Sequence, residues 1–114
     1  MRVRGETVST LLRAPVLTRG IRLGEVAGVL LDAEEPRILG LDVLCGDGAN
    51  RFLPFSTAHR GTRGIEIAST LTLLDERELR FYRARTRPLA SVPELADARV
   101  EADGTLVLPL SAYR

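Results

Sequence analysis

From position 16 the chain reads Val16-Leu-Thr-Arg-Gly-Ile-Arg-Leu-Gly-Glu-Val-Ala-Gly-Val-Leu-Leu-Asp32, and three shorter runs follow before Leu71. These runs are Arg37-Ile-Leu-Gly-Leu-Asp-Val-Leu-Cys45, Arg51-Phe-Leu-Pro-Phe-Ser56 and Gly64-Ile-Glu-Ile-Ala68. Each run is short, rich in aliphatic residues and bounded by turn-forming residues, as is typical of β-strands. The segment therefore predicts a succession of short strands in a mainly β domain.

Two of the strands carry a pattern that predicts how they pack. Residues 26–31 are apolar on both faces around Gly28, which favours a strand buried on both sides or a bulge at the glycine. The run after Arg37 alternates with a period of two, which predicts one buried face. The side chains that we assign to this core face are Leu39, Leu41, Val43 and Cys45.

Turn residues separate the strands. We expect turns at Arg19-Gly20-Ile21 and at Gly24, and a hairpin loop over Gly46-Asp-Gly-Ala-Asn50. Because Pro54 has no N–H to donate, its strand should lie at an edge or end there. A further half-buried strand is expected to place Ile65, Ile67 and Leu71 on one face.

This pattern of glycines, aliphatic residues and the step Leu53-Pro54-Phe55-Ser56 resembles the PRC-barrel family, a β-barrel module named after the photosynthetic reaction centre. The resemblance covers about half of the chain, residues 14–72. It implies a small antiparallel β-barrel of about six strands with one short helix in the C-terminal half. The family is defined by its fold and not by a chemistry, and its members serve as protein-docking domains.

The C-terminal third changes its period. Asp75 followed by Glu78 matches a capping box, and Pro88 ends the pattern, which predicts a helix over 75–87. Asp103-Gly104 predicts a hairpin over about 98–110 that either completes this barrel or pairs with a second copy. A length of 114 residues is that of a single domain, so residues 1–114 are expected to form one PRC-barrel-like unit.

All 16 basic residues are arginine. This usage reflects either codon bias or selection for bidentate binding of phosphate or carboxylate. On a helical wheel Arg77, Arg80, Arg83 and Arg87 share one side, and the apolar residues Leu74, Leu79, Phe81 and Tyr82 spread over the other. That side is either a solvated face or a basic surface for RNA or an acidic protein. The candidate partner- or RNA-binding residues are Arg60, Arg63, Arg77, Arg80, Arg83 and Arg87.

Composition restricts the classes of function. The net charge of +1 gives no global attraction to nucleic acid or to acidic lipid. No run approaches the roughly 18 to 20 apolar residues of a membrane helix, and the first residues do not resemble a signal peptide, so a cytoplasmic protein without membrane insertion is expected. The single cysteine cannot form an internal disulfide.

Catalytic, cofactor and metal sites are not indicated. The one histidine, His59, has only turn residues beside it and is expected at the surface. Cys45 falls on the core face, which favours an inert thiol. The acidic turn after Asp32 lacks the ligand spacing of a calcium site, and no glycine-rich phosphate loop occurs. We therefore expect a protein that is not an enzyme and has no cofactor.

Three functions stay open from the sequence. The first is an adaptor that docks an unidentified protein partner through the barrel. The second is RNA or ribosome association through Arg60, Arg63 and the arginine side of the helix. The third is a structural homodimer, since open strand edges invite pairing between copies.

Overall fold

The computed structural model describes residues 7–107, which form nine strands and one α-helix. The architecture is mainly β with a single helix, as predicted. The strands are β1 Pro15–Thr18, β2 Ile21–Asp32, β3 Ile38–Cys45, β4 Asn50–Pro54, β5 Ala58–Arg60, β6 Ile65–Ile67, β7 Thr86–Pro88, β8 Arg99–Val100 and β9 Leu106–Val107; the helix is α1 Glu76–Arg83. These are more strands than the six expected, because strands of two or three residues leave no periodic pattern in a sequence.

Seven strands form one curled sheet in the order β4-β3-β2-β1-β6-β5, with β7 added alongside β2. One pair departs from the predicted antiparallel arrangement, since β1 and β6 are parallel. The 3₁₀ turn Phe55–Thr57 between β4 and β5 accounts for this, because it bends the chain without reversing it. The same turn joins the two ends of the sheet order, which makes the sheet a partly closed barrel.

Two β-bulges interrupt the pairing of β2 with β3. The first places Ala27 as an extra residue before Gly28, so a bulge, one of the two alternatives for this run, does form. The second places Leu39 as an extra residue in β3, so Ile38 enters the core in its place and the assignment of Leu39 to the core is wrong. A one-residue slip moves side chains to the opposite face, which explains the exchange.

Two glycines, Gly20 and Gly24, occupy positions near the start of β2 that suit a residue without a side chain. Arg19 and Gly20 have φ values of 52° and 81° and form a two-residue turn between β1 and β2, while Ile21, the third residue of the predicted turn, already belongs to β2. Gly24, in contrast, is not a turn residue. It pairs with Cys45 inside the ladder, where a Cβ would lie 2.3 Å from the carbonyl oxygen of Leu44.

The main core lies on the inner face of the sheet. Leu41, Val43 and Cys45 are buried there as predicted. Ile65 and Ile67 are buried on β6, but Leu71 is 85% exposed because the chain leaves the strand and forms a 3₁₀ turn at Thr70–Thr72. The remaining buried members of the cluster are Val8, Leu11, Ala14, Val16, Val26, Val29, Leu31, Ile38, Leu53, Leu89, Val92, Leu95, Ala98 and Leu106.

Helix α1 begins as predicted but ends earlier. The Asp75 side chain accepts the backbone N–H groups of Arg77 and Glu78, which is the N-cap half of the capping box. The helix ends at Arg83 and not at position 87, because residues 86–88 pair with residues 30–32 as β7. That pairing partner lies more than 50 residues earlier in the chain, so the local sequence around the helix does not indicate where the helix ends.

The C-terminal hairpin packs against the same chain. Strands β8 and β9 are antiparallel, with Gly104 at a φ of 94° in the connecting turn. The Ile38 N–H donates to the Gly104 carbonyl oxygen at 2.8 Å, and Ala98 and Leu106 belong to the main core. The part of the predicted hairpin beyond Val107 lies outside the described residues.

Helix α1 covers the outer face of the sheet through a second, smaller cluster of Leu30, Phe52 and Leu79. The Phe52 ring stacks on Tyr82 with 4.2 Å between ring centroids. Gly40 lies directly beneath Phe52, and a Cβ there would come within 2.3 Å of the ring and 2.8 Å of the Leu53 carbonyl oxygen. A side chain at position 40 would therefore force the helix-covered layer apart.

Gly40→Ala should lower the free energy of unfolding by about 1–3 kcal/mol, the usual effect of overpacking. Gly28→Ala is the matched control, since its Cβ would meet only the Asp42 Cβ, at 3.6 Å. Urea unfolding of both variants tests this. Equal unfolding midpoints for the two variants would contradict the close packing of Phe52 on Gly40.

The β3–β4 loop at residues 46–49 contains an ion pair with a defined pH response. The Asp47 carboxylate accepts two hydrogen bonds from the Arg51 guanidinium, at 3.1 and 2.9 Å, and one from the Ala49 N–H. These bonds, that of Arg51 first, lower the pKa of Asp47 from 3.8 to about 2. Because the folded pKa is the lower one, the stabilisation is present above pH 3.8 and is lost as the pH falls through about 2.

We expect Asp47→Asn to unfold at a lower urea concentration than the wild type at pH 6. The difference between the two midpoints should shrink as the pH approaches 2, because protonation removes the same charge from the wild type. Urea titrations across this range measure the effect, and a difference that stays constant with pH would argue against the ion pair as its source.

Candidate functional site

An apolar groove of about 650 Å³ lies along β2 beside α1, and its lining includes members of both hydrophobic clusters. Its floor is the middle of β2, and the residues after β7 form its opposite wall. Ten apolar residues and one ion pair make up its described lining: Leu12, Ala27, Gly28, Val29, Leu30, Pro88, Leu89, Ala90, Pro93 and Ala96, with Asp42 and Arg83.

The groove exists because two different strands pair with one edge of β2. The first half of β2 pairs with β1, and the Val26 backbone still exchanges hydrogen bonds with Arg13 and Ala14. From Leu30 onward the same edge pairs with β7. Residues 27–29 lie between these partners, and no strand of the described chain pairs with them on that edge. The bulge at Ala27 lies in this gap.

The far wall consists of two consecutive 3₁₀ turns, Leu89–Ser91 and Pro93–Leu95. Leu89 anchors the first turn in the core, while Pro88, Ala90 and Pro93 are exposed along the rim. Proline has a fixed φ and no N–H. The rim is therefore stiff, apolar and poor in hydrogen-bond donors.

One end of the groove is closed by an ion pair between β3 and α1. Asp42 projects to the outer face of β3 and is 7% exposed. Its Oδ1 accepts a hydrogen bond from the Asn50 amide at 2.9 Å, and its Oδ2 accepts one from Arg83 Nη2. The Arg83 side chain is half exposed while that of Asp42 is only 10% exposed, so the guanidinium is the outer partner. A buried carboxylate needs such partners to remain charged.

The structure separates the four arginines that the sequence placed on one side of a helix. Arg77 and Arg80 are exposed on α1, and no carboxylate within residues 7–107 forms an ion pair with either. Arg83 is bound to Asp42. Arg87 is not on the helix but on β7, where its Nε and Nη2 donate to the Asp32 carbonyl oxygen at 3.3 and 3.2 Å. The predicted four-arginine face is therefore wrong as a geometric unit.

Arg60 and Arg63 lie elsewhere, at the β5–β6 hairpin. Both are exposed, and the Arg63 guanidinium approaches the β1–β2 turn at Gly20. His59 on β5 is exposed, as predicted, and faces Glu66 across the ladder. These residues border β1, whereas α1 packs on β4, so the two groups of candidate arginines have different surroundings.

The acidic turn after β2 is organised by its own backbone. The Asp32 carboxylate accepts the N–H groups of Glu34 and Glu35, which lower the pKa of Asp32, with smaller contributions from Arg37 and Arg87. Within residues 7–107 no three acidic, histidine or cysteine side chains are grouped to hold a metal ion. No helix in the same range has the length and apolar character needed to cross a membrane.

No pattern in the sequence indicates the groove. Its floor and wall come from segments about 60 residues apart, and only the tertiary pairing of β2 with β7 brings them together. Asp42 did give a local signal, as the lone charged residue in the apolar run 38–45. A single acidic residue in such a strand indicates a buried partner, since a carboxylate is rarely buried unpaired.

Arg83→Ala should destabilise the fold by about 1–2 kcal/mol, because it leaves the Asp42 carboxylate with only the Asn50 amide. This is below the ~3–5 kcal/mol of a fully buried pair, since water reaches half of Arg83. Arg80→Ala, in the same turn of α1, should change the free energy of unfolding by less than about 0.5 kcal/mol. Equal losses in urea unfolding would mean that the Asp42 contact contributes nothing.

The comparisons with known proteins agree with this architecture. No curated protein sequence matches the chain significantly. The family model of the PRC-barrel domain matches residues 4–74, more than half of the 114 residues, and includes the strands from β1 to β6. Domains of this family are generally non-catalytic modules that interact with proteins or RNA. By its sequence match and its curled sheet, the chain belongs to the PRC-barrel family.

Proposed function

We propose that this protein is a non-enzymatic adaptor that docks a protein partner in the groove between β2 and the 3₁₀ turns after β7. The observation that carries the proposal is the groove itself, about 650 Å³ in volume with a rim of exposed apolar side chains. Its volume lies within the ~300–1,000 Å³ typical of binding pockets. An apolar surface of this kind is costly to leave in water, which supports a role in binding.

The composition of the lining supports binding over catalysis. Acyl and phosphoryl transfer by covalent catalysis need a nucleophile and a base within hydrogen-bonding reach. The described lining contains no serine, threonine, cysteine, histidine or lysine. Its two charged side chains, Asp42 and Arg83, are bonded to each other. Aliphatic side chains of a polypeptide are the ligands that such walls fit best.

The RNA- or ribosome-associated alternative has weaker support. Of the five arginines between Asp75 and Pro88, Arg83 is bound to Asp42, while Arg85 and Arg87 donate to the carbonyl oxygens of Phe81 and Asp32. Within residues 7–107 the structure gives Arg77 and Arg80 no ion pair, and Glu76 and Glu78 lie on the same short helix. Binding to a nucleic acid backbone depends on several cations neutralising phosphates together. Mixed charges on α1 reduce the attraction that such binding requires.

The homodimer alternative also has weaker support from strand edges. The outer edge of β4 is bridged to Leu74, with hydrogen bonds of 2.9 and 2.8 Å between the backbones of Phe52 and Leu74. The edge of β5 is only three residues long and carries His59 and Arg60. Short, charged edges resist pairing between copies.

The docking proposal is tested with the wild-type protein and a random peptide library displayed on phage. Peptides enriched on the wild type should bind Gly28→Leu at least about tenfold more weakly, because the new side chain occupies the space of one or two aliphatic groups of the ligand. The Gly28 position accepts a Cβ at ordinary contact distance. Fluorescence anisotropy of the labelled peptides measures the affinities.

Gly46→Leu is the matched control, because Gly46 is exposed in the β3–β4 loop and a Cβ there meets only the Leu23 carbonyl oxygen, at 3.8 Å. It should bind the peptides as the wild type does. Failure to enrich any peptide, or equal affinities for both leucine variants, would reject the groove as the docking site. Peptides that instead lose affinity on Arg77→Gln would favour the arginine surface of α1.

A further inference from the structure

We propose that the occupant of the groove is an aliphatic protein segment carrying one acidic side chain, whose carboxylate binds Arg83. This inference rests on the proposed docking function and specifies the chemistry of the partner. Arg83 and Asp42 are the only charged residues in the described lining. Which charged ligand group the groove prefers therefore depends on which atoms of this pair are exposed to the ligand.

The pair presents donors and hides acceptors. Both oxygens of Asp42 already accept hydrogen bonds, one from Asn50 and one from Arg83, and the carboxylate lies beneath the guanidinium. The Arg83 guanidinium has five N–H donors in a planar fork, of which Asp42 engages one, and half of the side chain is exposed. A ligand that reaches this end of the groove therefore meets a cationic donor group.

A carboxylate is the complementary ligand group. The planar fork matches two carboxylate oxygens, which a lysine, an amide or an aliphatic group cannot reproduce. A basic residue of the partner would face the guanidinium and be repelled. The other lining side chains are aliphatic, glycine or proline, so no further side chain there binds a polar group. The acidic residue should therefore set the direction of the segment, with its carboxylate at the α1 end.

The first test uses the peptides enriched on the wild-type protein. They should carry an aspartate or glutamate among aliphatic residues, and replacing it with the matching amide should weaken binding by about two- to fivefold, the range of a partly exposed ion pair. Replacement by arginine should weaken binding further. Enriched peptides without an acidic residue, or with unchanged affinity after the amide replacement, would overturn the inference.

The second test removes the charge from the protein. The double variant Asp42→Asn with Arg83→Gln keeps a neutral hydrogen-bonding pair and the net charge, and it should bind the acidic peptide and its amide equally. Arg77→Gln, which removes an exposed arginine from the same helix, should retain the preference for the acidic peptide. A double variant that keeps this preference would also overturn the inference.

These outcomes separate the two proposals. Peptides that lose affinity on Gly28→Leu but show no acid preference leave the docking function in place and reject the role of Arg83. If the affinity of the peptides is unchanged by Gly28→Leu, the docking function itself is rejected. If urea unfolding shows that the double variant does not fold, the comparison of acidic and amide peptides on the wild-type protein still decides the question.

Discussion

The structure depends on how the backbone of the long strand β2 is hydrogen-bonded along its two edges. One edge pairs with β3 along most of its length, interrupted only by two bulges. The other edge is shared between β1 and β7, which approach from opposite ends and do not meet. β1 has four residues and β7 has three, so neither spans the 12 residues of β2. The change of partner leaves the gap over residues 27–29.

The second constraint is the burial of Asp42 under α1. Burying a carboxylate without partners costs several kcal/mol, so the strand that carries it must be covered by an element that supplies donors. Arg83 from the last turn of the helix and Asn50 from the start of β4 fulfil this need. Gly40, two residues before Asp42, admits the Phe52 ring that stacks on Tyr82. One polar contact and one aromatic stack thus fix the helix on the sheet.

The sequence specified those features that depend on neighbours in the chain. Alternation in β3 placed Leu41 and Val43 in the core, and Gly28 marked the bulge in β2. The N-cap at Asp75 was visible because its partners lie two and three residues away. The end of α1 was not visible in the sequence. The Arg85 and Thr86 side chains donate to the carbonyl oxygens of Phe81 and Tyr82, and the following residues pair with the distant strand β2. The groove was not visible in the sequence for the same reason, because its walls are brought together by pairing between distant segments of the chain.

The family match covers one part of the groove lining and not the other. Its floor, the β2 bulge and Asp42, lies within residues 4–74, the region that the PRC-barrel domain accounts for. Its far wall and Arg83 come from the segment after position 74. The barrel thus supplies a sheet with an unpaired stretch and a buried carboxylate, and the following segment supplies the apolar rim and the cation. The Asp42–Arg83 pair is therefore a contact that links the barrel to the segment after position 74.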